Sequence, residues 1–390
     1  MFSKVSLDSQ AIILAAGPNG LGAIRSLNLE GISLDVIAAT PDDVVLSSRL
    51  PIRKVALQKN KNEQELLSIL LNWPKSNLVL IPTSDWYVNF LSKNQQILTE
   101  KFSFVIPNGD LSYQLIDKQK EVELVKNLVT LPKSLLILPD SAEQLLANIS
   151  LPIIIKPRSN EMNYIGQKNI QIYNDIELDS FYQTFADKLQ YCIAQEIIVG
   201  DDANLWVCNC TFDLKGKLIN AFTFQRLQLT PPHFGVTSYA ISRPNPEIIE
   251  QVAKLGQGLN YVGPAMVEFK LDDRDGQYKY IEINPRLGLC NYFDTSCGKN
   301  NVYASFCVAK SLPFTEKEQI NQRMFLSLYE DLFSRHKDKQ DSLSIFKTYF
   351  SNLLKSHTFI YFSWCDPKPA FYMFTKQFKA TITSLKRKIT

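Results

Sequence analysis

The stretch Tyr280–Gly288 reads YIEINPRLG, and it decides how the rest of the chain is interpreted. Its aromatic and β-branched residues favour a strand, on which Glu282 and Asn284, two positions apart, share one face. A carboxylate and an amide oxygen side by side are hard ligands that suit Mg²⁺. Pro285 ends the strand because it has no N–H, and the guanidinium of Arg286 suits a phosphate or a carboxylate. The stretch predicts a metal-ion and phosphate site, with an edge strand facing solvent as the alternative.

The residues just before this strand predict a partner for it. Pro264–Leu271 has the composition of a strand, and the turn Asp272–Gly276, rich in Asp and Gly, joins it to the next one. Antiparallel pairing would bring Glu268 close to Glu282 and Asn284. Three oxygen ligands that converge in this way predict a site for two metal ions, Mg²⁺ or Mn²⁺, shared between them.

Lysines upstream of these strands are candidates to contact an anion. Lys118 follows Asp117, a good N-cap, and lies in the first turn of a predicted helix, where a cation opposes the helix dipole. Lys156 follows the apolar strand Leu151–Ile155, and a lysine at the tip of a buried strand is costly without an anionic partner. A nucleotide phosphate would be such a partner, and Lys168, in the loop that follows, is a further candidate to contact it.

More polar residues surround a strand that we predict over Tyr191–Val199. Glu196 and Ile198 share one face of this strand, and Asp201 and Asp202 come just past its end.

A hairpin comes next, with strands predicted over Leu205–Leu214 and Leu218–Leu227 and a turn between them. Arg226 lies near the end of the second strand. Its guanidinium is a candidate to bind a substrate carboxylate, and a surface arginine is the alternative.

The first third of the chain alternates short apolar runs with helical segments. The runs Ala11–Ala16 and Leu34–Ala39 flank a glycine-rich turn and a helix, and Asn77–Pro82 is a further apolar run of strand length. This alternation predicts a Rossmann-like, doubly wound parallel sheet that ends near Tyr113.

The glycines after the first strand do not form a dinucleotide fingerprint. Gly17, Gly20 and Gly22 do not fit G-x-G-x-x-G, and no acidic residue ends the second strand. One interpretation is a tight turn that feeds a helix without a cofactor. In another, the helix N-terminus helps to hold an anionic substrate. The candidate substrate residues in that case are Gly20, Arg25, Ser48 and Arg49.

Composition excludes several other classes of protein. The 390 residues, 45% hydrophobic and 21% charged, suffice for two or three domains with real cores. A net charge of +3 is too small to argue for a nucleic-acid partner. Seven cysteines without a C-x-x-C pair, and three histidines, make a zinc site an unfavourable interpretation. No signal peptide or apolar run of about eighteen residues is found, and we expect a cytoplasmic protein with reduced thiols.

The pattern changes from about residue 311. We predict helices over Glu316–His336, Ser342–Ser356 and Phe371–Lys388, with a strand-like segment at Thr358–Trp364. The last helix is basic and amphipathic, a pattern also found in helices that lie on membranes. We expect instead that its apolar residues pack on the body of the protein, and therefore expect no membrane contact through it.

These motifs, in this order, resemble the ATP-grasp superfamily over residues 10–310. The matching positions are Lys118, Lys156, Gln195–Asp202, Glu268, Glu282, Asn284 and Arg286. Within the superfamily the chain is most similar to carboxylate–amine ligases of the D-aspartate-ligase type. That closer likeness rests on Gly17–Leu27, Ser47–Arg49, Thr83–Asp85 and Asp117–Lys118. The loop after Lys156 departs from the family pattern, because it has one glycine where the family has several small residues.

The resemblance implies an α/β fold in three parts. These are a Rossmann-like domain over residues 1–114, a two-lobed ATP-grasp domain over residues 115–310, and a mainly helical appendage over residues 311–390. The lobes would meet near residues 195 and 196. The implied ATP-binding residues are Lys118, Lys156, Lys168, Glu196, Ile198, Asp201 and Asp202, with either aspartate as the ribose ligand. Glu268, Glu282 and Asn284 would be the metal ligands, and Arg286 and Arg226 the catalytic arginines.

The implied activity is an ADP-forming carboxylate–amine ligase. Such an enzyme uses Mg-ATP to activate a carboxylate as an acyl phosphate, and an amine then attacks to form an amide or peptide bond. Its partners would be small-molecule acids and amines, and the related ligases are often homodimers. The alternatives are an enzyme similar to carbamoyl-phosphate synthase or a carboxylase, and a nucleotide-binding protein of the same fold without catalysis.

Overall fold

A computed structural model describes residues 9–137, 142–159, 162–233, 235–338 and 342–389. The side chains of residues 342, 344 and 380–389 lie outside the described set. The described chain forms three β-sheets with helices packed on them.

The first sheet is the parallel one that the sequence predicts. Its strands, in the order β3-β2-β1-β4-β5, are β1 (Ala11–Ala15), β2 (Leu34–Ala38), β3 (Lys54–Ala56), β4 (Leu78–Pro82) and β5 (Phe102–Ser103). Its helices are α1 (Gly17–Leu29), α2 (Glu63–Leu71), α3 (Asp85–Lys93) and α4 (Gln95–Leu98). The central strands β1, β2 and β4 are buried along their whole length, because an apolar cluster covers each face of the sheet.

Two helices, α5 (Gly109–Ile116) and α6 (Lys118–Val125), lead out of this sheet. Asp117 caps α6 as predicted, since its carboxylate accepts hydrogen bonds from the backbone N–H groups of the first turn. Leu111, Leu115 and Val125 pack in the same apolar cluster as the last sheet of the protein. Leu115 and Val125, which the sequence assigns to the first lobe of the grasp, therefore pack on the sheet of the second.

The second sheet is small and antiparallel. Its strands, in the order β6-β9-β7-β8, are β6 (Ser134–Leu136), β7 (Ile153–Pro157), β8 (Ile170–Ile172) and β9 (Cys192–Glu196). Two helices, α7 (Ala142–Leu146) and α8 (Asp175–Thr184), cover its apolar face. The loop between β7 and β8 contains residues 160 and 161, which lie outside the described set.

The third sheet has seven strands and carries both predicted hairpins. Its order is β14-β13-β10-β11-β12-β15-β16, with β10 (Leu205–Phe212), β11 (Leu218–Thr230), β12 (Val236–Ser242), β13 (Gly263–Leu271), β14 (Tyr278–Asn284), β15 (Met324–Leu326) and β16 (Thr358–Phe359). Neighbouring strands are antiparallel except for β15 and β16. The helices between these strands are α9 (Pro246–Leu259), α10 (Asn291–Ser296), α11 (Asn301–Ala309), α12 (Leu328–Lys337) and α13 (Ser342–Lys355).

The C-terminal part is less helical than predicted. The helix predicted over Glu316–His336 is wrong in its first half, because no helix or strand is assigned between α11 and β15, and β15 then pairs with β12. The apolar segment Met-Phe-Leu of β15 is better accommodated between two strands of a sheet than on a charged helix. The last helix, α14 (Lys368–Ile389), is present as expected. Two strands of the predicted appendage are thus part of the third sheet.

Candidate active site

A cleft of about 1530 Å³ lies between the three sheets. It is lined by Ala16 and Gly17 after β1, by residues of β7 and β9, and by the end of β14. Twelve of the sixteen site residues predicted from the sequence line it: Lys118, Lys156, Lys168, Glu196, Ile198, Asp201, Asp202, Arg226, Glu268, Glu282, Asn284 and Arg286. Residues that are far apart in the sequence thus meet in one place.

The three predicted metal ligands lie on the paired strands β13 and β14. Glu268 is directly opposite Glu282, and Met266 is opposite Asn284. Directly opposed residues project from the same face of a sheet, so both carboxylates point into the cleft with the Asn284 amide beside them. The predicted antiparallel pairing is confirmed, and a shift of register between Glu268 and Phe269 brings the two glutamates directly opposite each other.

Each of these oxygen ligands contacts a cation, and both carboxylates contact one from another part of the chain. Arg226 Nη2 lies 2.6 Å from Glu268 Oε1, with both side chains largely buried. Lys118 Nζ lies 3.1 Å from Glu282 Oε2. These pairs connect β11 with β13 and helix α6 with β14, so the cations hold the strand carboxylates in place.

The third contact joins Arg286 to Asn284. Arg286 donates a hydrogen bond of 3.2 Å from Nη2 to Asn284 Oδ1, and its Nε lies 3.0 Å from Asp85 Oδ1 of α3. Asp85 belongs to the stretch Thr83–Asp85, which the sequence resemblance had singled out. The arginine next to the metal ligands is thereby oriented from the first sheet.

The charges at Lys118 and Glu282 reinforce each other. The Lys118 ammonium lowers the pKa of Glu282 well below its usual range, and it outweighs the effect of burial. Burial acts against the ammonium of Lys118, but the carboxylates of Glu282 and Glu121 overcome it and raise the lysine pKa above its ordinary value. Both groups are therefore charged at neutral pH.

The donor set at β13 and β14 fits a hard divalent cation. Glu268, Glu282 and Asn284 offer only oxygen ligands, which Mg²⁺ prefers. Among the residues that the structure describes, no group of three His, Cys, Asp or Glu side chains could hold a metal ion. The predicted site has two carboxylates, Glu268 and Glu282, and its third ligand is the amide of Asn284.

Lys156 is a half-buried cation, and within the described part of the chain its ammonium donates to a neutral amide. Its Nζ donates a hydrogen bond of 2.7 Å to Gln195 Oε1, and Gln195 donates in turn to Ser134 Oγ at 2.9 Å. Burial lowers the pKa of Lys156 to about 8, because a neutral amide compensates a buried ammonium poorly. A phosphate in the cleft would supply the missing negative charge. Lys168 lines the same cleft.

The carboxylates after β9 are held by neighbouring groups. Glu196 Oε2 accepts a hydrogen bond of 3.2 Å from Arg274 Nη2. Asp201 accepts one of 2.8 Å from the Ala203 backbone N–H. Asp202 lies 3.2 Å from His233 Nδ1. All three aspartate and glutamate side chains line the cleft, and which aspartate would contact a ribose stays a prediction.

Sequence reasoning missed Glu121. This residue of α6 lines the cleft and is almost fully buried, and it accepts hydrogen bonds from Tyr280 OH at 2.6 Å and from the Ile283 backbone N–H at 2.9 Å. Burial raises its pKa to about 7. The available signal was its spacing of three residues from Lys118, which places both side chains on one face of the helix.

The four predicted substrate residues do not line the cleft. Arg25 is completely buried and contacts the C-terminal segment, where its Nη2 donates to the carbonyl oxygens of Tyr361 at 2.6 Å and Asp366 at 3.1 Å. Ser48 is also fully buried, and its Oγ accepts from the Leu50 backbone N–H at 3.3 Å. This geometry leaves neither side chain a route to a substrate in the cleft.

The remaining two substrate candidates are Gly20 and Arg49, and both make contacts outside the cleft. Gly20 lies inside α1, and a Cβ atom there would come within 2.5 Å of Ala15 Cβ in β1. Gly22 is under the same constraint, with Asn291 Oδ1 at 2.1 Å from an added Cβ. The backbone N–H of Arg49 donates to Asp366 Oδ1 at 3.1 Å, and its side chain is exposed. Gly20 and Gly22 therefore allow close packing of α1, whereas Gly17, at the start of the helix, lines the cleft.

The chain is similar to several proteins of known activity or structure. It is 28% identical over 243 residues to a D-aspartate ligase from Enterococcus faecium (strain Aus0004), a match that covers 57% of this chain and 56% of that protein. The aligned region thus spans about half the length of the curated relative. No protein-family model matches the chain.

Solved structures share the fold at low sequence identity. N5-carboxyaminoimidazole synthetase from Staphylococcus aureus, complexed with ADP, matches with a TM-score of 0.63 and 15% identity, covering 87% of this chain and 88% of that one. The biotin carboxylase domain of Hydrogenobacter thermophilus 2-oxoglutarate carboxylase, in complex with MgADP, ADP and bicarbonate, matches with a TM-score of 0.62 and 15% identity, covering 80% and 72%. The resemblance seen in the sequence is confirmed, and the chain has the ATP-grasp fold.

Proposed function

We propose that the protein is an ADP-forming carboxylate–amine ligase that uses Mg-ATP. The observation that carries this proposal is the convergence of Lys118, Lys156 and Arg286 with the oxygen ligands Glu282 and Asn284 in a single cleft. Cations next to hard oxygen ligands suit a nucleotide triphosphate bound with a metal ion. Similarity to a D-aspartate ligase supports the reaction class.

In this proposal, the cleft residues position the nucleotide and neutralise its charge. Lys118 and Lys156 bind the α- and β-phosphates, and Arg286, held by Asp85, stabilises the phosphoryl group as it moves to the substrate carboxylate. Glu268, Glu282 and Asn284 would hold two Mg²⁺ or Mn²⁺ ions, which would supply positive charge next to the phosphates. The protein then mainly aligns the reactants in a site where charge stabilisation is strong.

The amide bond forms in two steps. Phosphoryl transfer converts the carboxylate oxygen, a poor leaving group, into an acyl phosphate and releases ADP. The amine nitrogen then attacks the acyl carbon, and phosphate leaves as the amide forms. Arg226 is a candidate to hold the acid during both steps, because it lines the cleft beside Glu268 and its Nε is buried without a hydrogen-bond partner among the described residues.

Phosphate release from Mg-ATP tests the proposal against a panel of acids and amines, with D-aspartate first. We expect release that requires both an acid and an amine. The variant Glu282→Gln with Asn284→Ala should lose at least about a hundredfold in turnover while keeping the circular dichroism spectrum of the wild type. Glu123→Gln, on the exposed face of α6, is the matched control and should keep full activity. Full activity in the double variant would show that the metal assignment is wrong.

A carboxylase-like reaction is the second candidate, because one structural neighbour is a biotin carboxylase domain in complex with bicarbonate. The same assay separates the two. Phosphate release that requires bicarbonate and continues without any other acid would favour the carboxylase-like reaction over the ligase.

A further inference from the structure

Helix α14 exposes a row of aromatic side chains. Phe371, Phe374 and Phe378 are 68%, 68% and 59% exposed, and the rings of Phe374 and Phe378 stack with their centroids 6.2 Å apart. Their spacing of three and four residues puts them on one face of the helix. The sequence-based expectation that the apolar residues of this helix pack on the body is therefore wrong for this row.

Another face of α14 anchors the helix to the first sheet. Tyr372 OH donates a hydrogen bond of 2.7 Å to the Asp42 carbonyl oxygen, and Lys376 Nζ lies 2.7 Å from Asp42 Oδ2. Tyr372 and Met373 pack against the apolar cluster of that sheet. The helix is thus fixed in an orientation that directs the phenylalanine row away from the body.

The aromatic row continues into an apolar groove. The groove, of about 440 Å³, lies between α14 and the edge of the third sheet, and Leu326, Tyr329, Phe362 and Phe371 line it. The ring of Trp364, which is 91% exposed, contacts the Phe362 ring at a centroid distance of 4.9 Å. A contiguous exposed surface of this kind on a folded protein marks an interaction site more often than isolated apolar residues do.

The charge of the helix narrows the choice of partner. Residues 368–389 hold six of the 42 basic residues of the chain and none of its 39 acidic ones, so that without them the net charge of +3 would become −3. Two copies that met through this face would bring two such helices together, since a twofold interface pairs the same surface with itself. Repulsion between them disfavours a second copy and favours an anionic partner.

An anionic lipid surface would be a partner for both the exposed phenylalanine row and the positive charge of α14. Aromatic side chains at the headgroup level and basic residues near acidic lipids are the features of helices that lie in a membrane interface. Such binding does not require a membrane-spanning segment, and the described part of the chain contains no helix long and apolar enough to be one. We propose that α14 and the adjoining groove dock the protein on an anionic bilayer, with Phe371, Phe374 and Phe378 inserted into the interface.

Co-sedimentation of the full-length protein with vesicles tests this proposal. One set of vesicles contains phosphatidylcholine and phosphatidylglycerol in equal amounts, and the other contains phosphatidylcholine alone. We expect binding to the first set that weakens as salt is added. Replacing Phe371, Phe374 and Phe378 together with serine should lower the apparent partition coefficient on the order of a hundredfold. This change should leave the fold intact because all three side chains are exposed.

The control variant carries Ile176→Ser and Leu214→Ser, two apolar residues that are 82% and 61% exposed on other parts of the protein. It should bind like the wild type. The proposal is overturned if the wild type does not bind the anionic vesicles, or if the triple variant binds them equally well. A wild type that dimerises in solution without binding vesicles, and a triple variant that stays monomeric, would identify a second copy as the occupant and overturn it too.

Discussion

Replacing Arg25 with methionine should destabilise the protein strongly and leave substrate binding unchanged. The Arg25 and Asp366 side chains are both 0% exposed, and Arg25 Nε lies 3.7 Å from Asp366 Oδ2. Arg25 also donates hydrogen bonds to the carbonyl oxygens of Ile360, Tyr361 and Asp366, at 3.2, 2.6 and 3.1 Å. It therefore connects α1 to the segment between β16 and α14.

The expected loss follows from the Asp366 carboxylate that the variant would leave behind. Breaking a buried ion pair by removing one partner costs about 3–5 kcal/mol, because the other charge stays buried and uncompensated. The carbonyl oxygens that lose their donor act in the same direction, while the methionine retains part of the apolar packing. We expect a loss of about 3–5 kcal/mol in the free energy of unfolding, which corresponds to roughly 4–6 °C in Tm for a chain of 390 residues.

Urea unfolding followed by circular dichroism measures this loss, and a titration of the acid substrate measures KM. The control is Arg49→Met, from the same set of predicted substrate residues but with an exposed side chain, which should change the unfolding free energy by less than about 0.5 kcal/mol. Arg25→Met combined with Asp366→Asn should lose less than the sum of the single variants. An Arg25 variant with wild-type stability and a raised KM would refute this reasoning and restore the substrate role.

Two further predictions concern the cleft and the packing of α1. Because burial lowers the pKa of Lys156 to about 8, MgADP affinity should be constant below that pH and fall up to about tenfold per pH unit above it. Lys156→Arg should remove this dependence in a binding titration, and an unchanged pH profile would contradict it. Gly22→Ala should cost about 1–3 kcal/mol in urea unfolding, because the added Cβ meets Asn291. Asn28→Ala, on the same helix, should cost nothing, and equal stabilities would count against the packing role of Gly22.

The predictions that hold from sequence alone depend on short-range patterns. Alternation of side chains and the turn Asp272–Gly276 sufficed to predict that Glu268 lies near Glu282, but the pairs next to the turn alone would place Glu268 opposite Ile281. The direct opposition of the two glutamates also needs the shift of register between Glu268 and Phe269, which no local pattern announces. The buried strands of the first sheet were also predicted, because a parallel sheet covered by helices is the usual way to bury short apolar runs that alternate with helical segments. The helix predicted over Glu316–His336 was wrong in its first half, where pairing with β12 outweighs local propensity.

The roles of single charged residues could not be predicted in the same way. Arg25 follows a glycine-rich turn, which suggested an anionic substrate, but its partner Asp366 lies 341 positions away. No local pattern distinguishes an arginine that binds a substrate from one that binds a distant carboxylate. The role of the Arg25 side chain follows only from the path of the C-terminal segment, which places Asp366 beside α1.

The cations of the cleft also pair with carboxylates that are distant in the sequence, and this pairing bears on function. Lys118 lies 164 positions from Glu282, and Arg226 reaches Glu268 from a different strand. If the proposed function holds, each cation occupies an oxygen that a metal ion would need, so each would have to find another anion when the metal ion binds. A nucleotide phosphate would be that anion for Lys118, and the substrate carboxylate would be that anion for Arg226. We therefore expect the metal ion and these anions to bind cooperatively, because either one alone would leave a charge in the cleft without a partner.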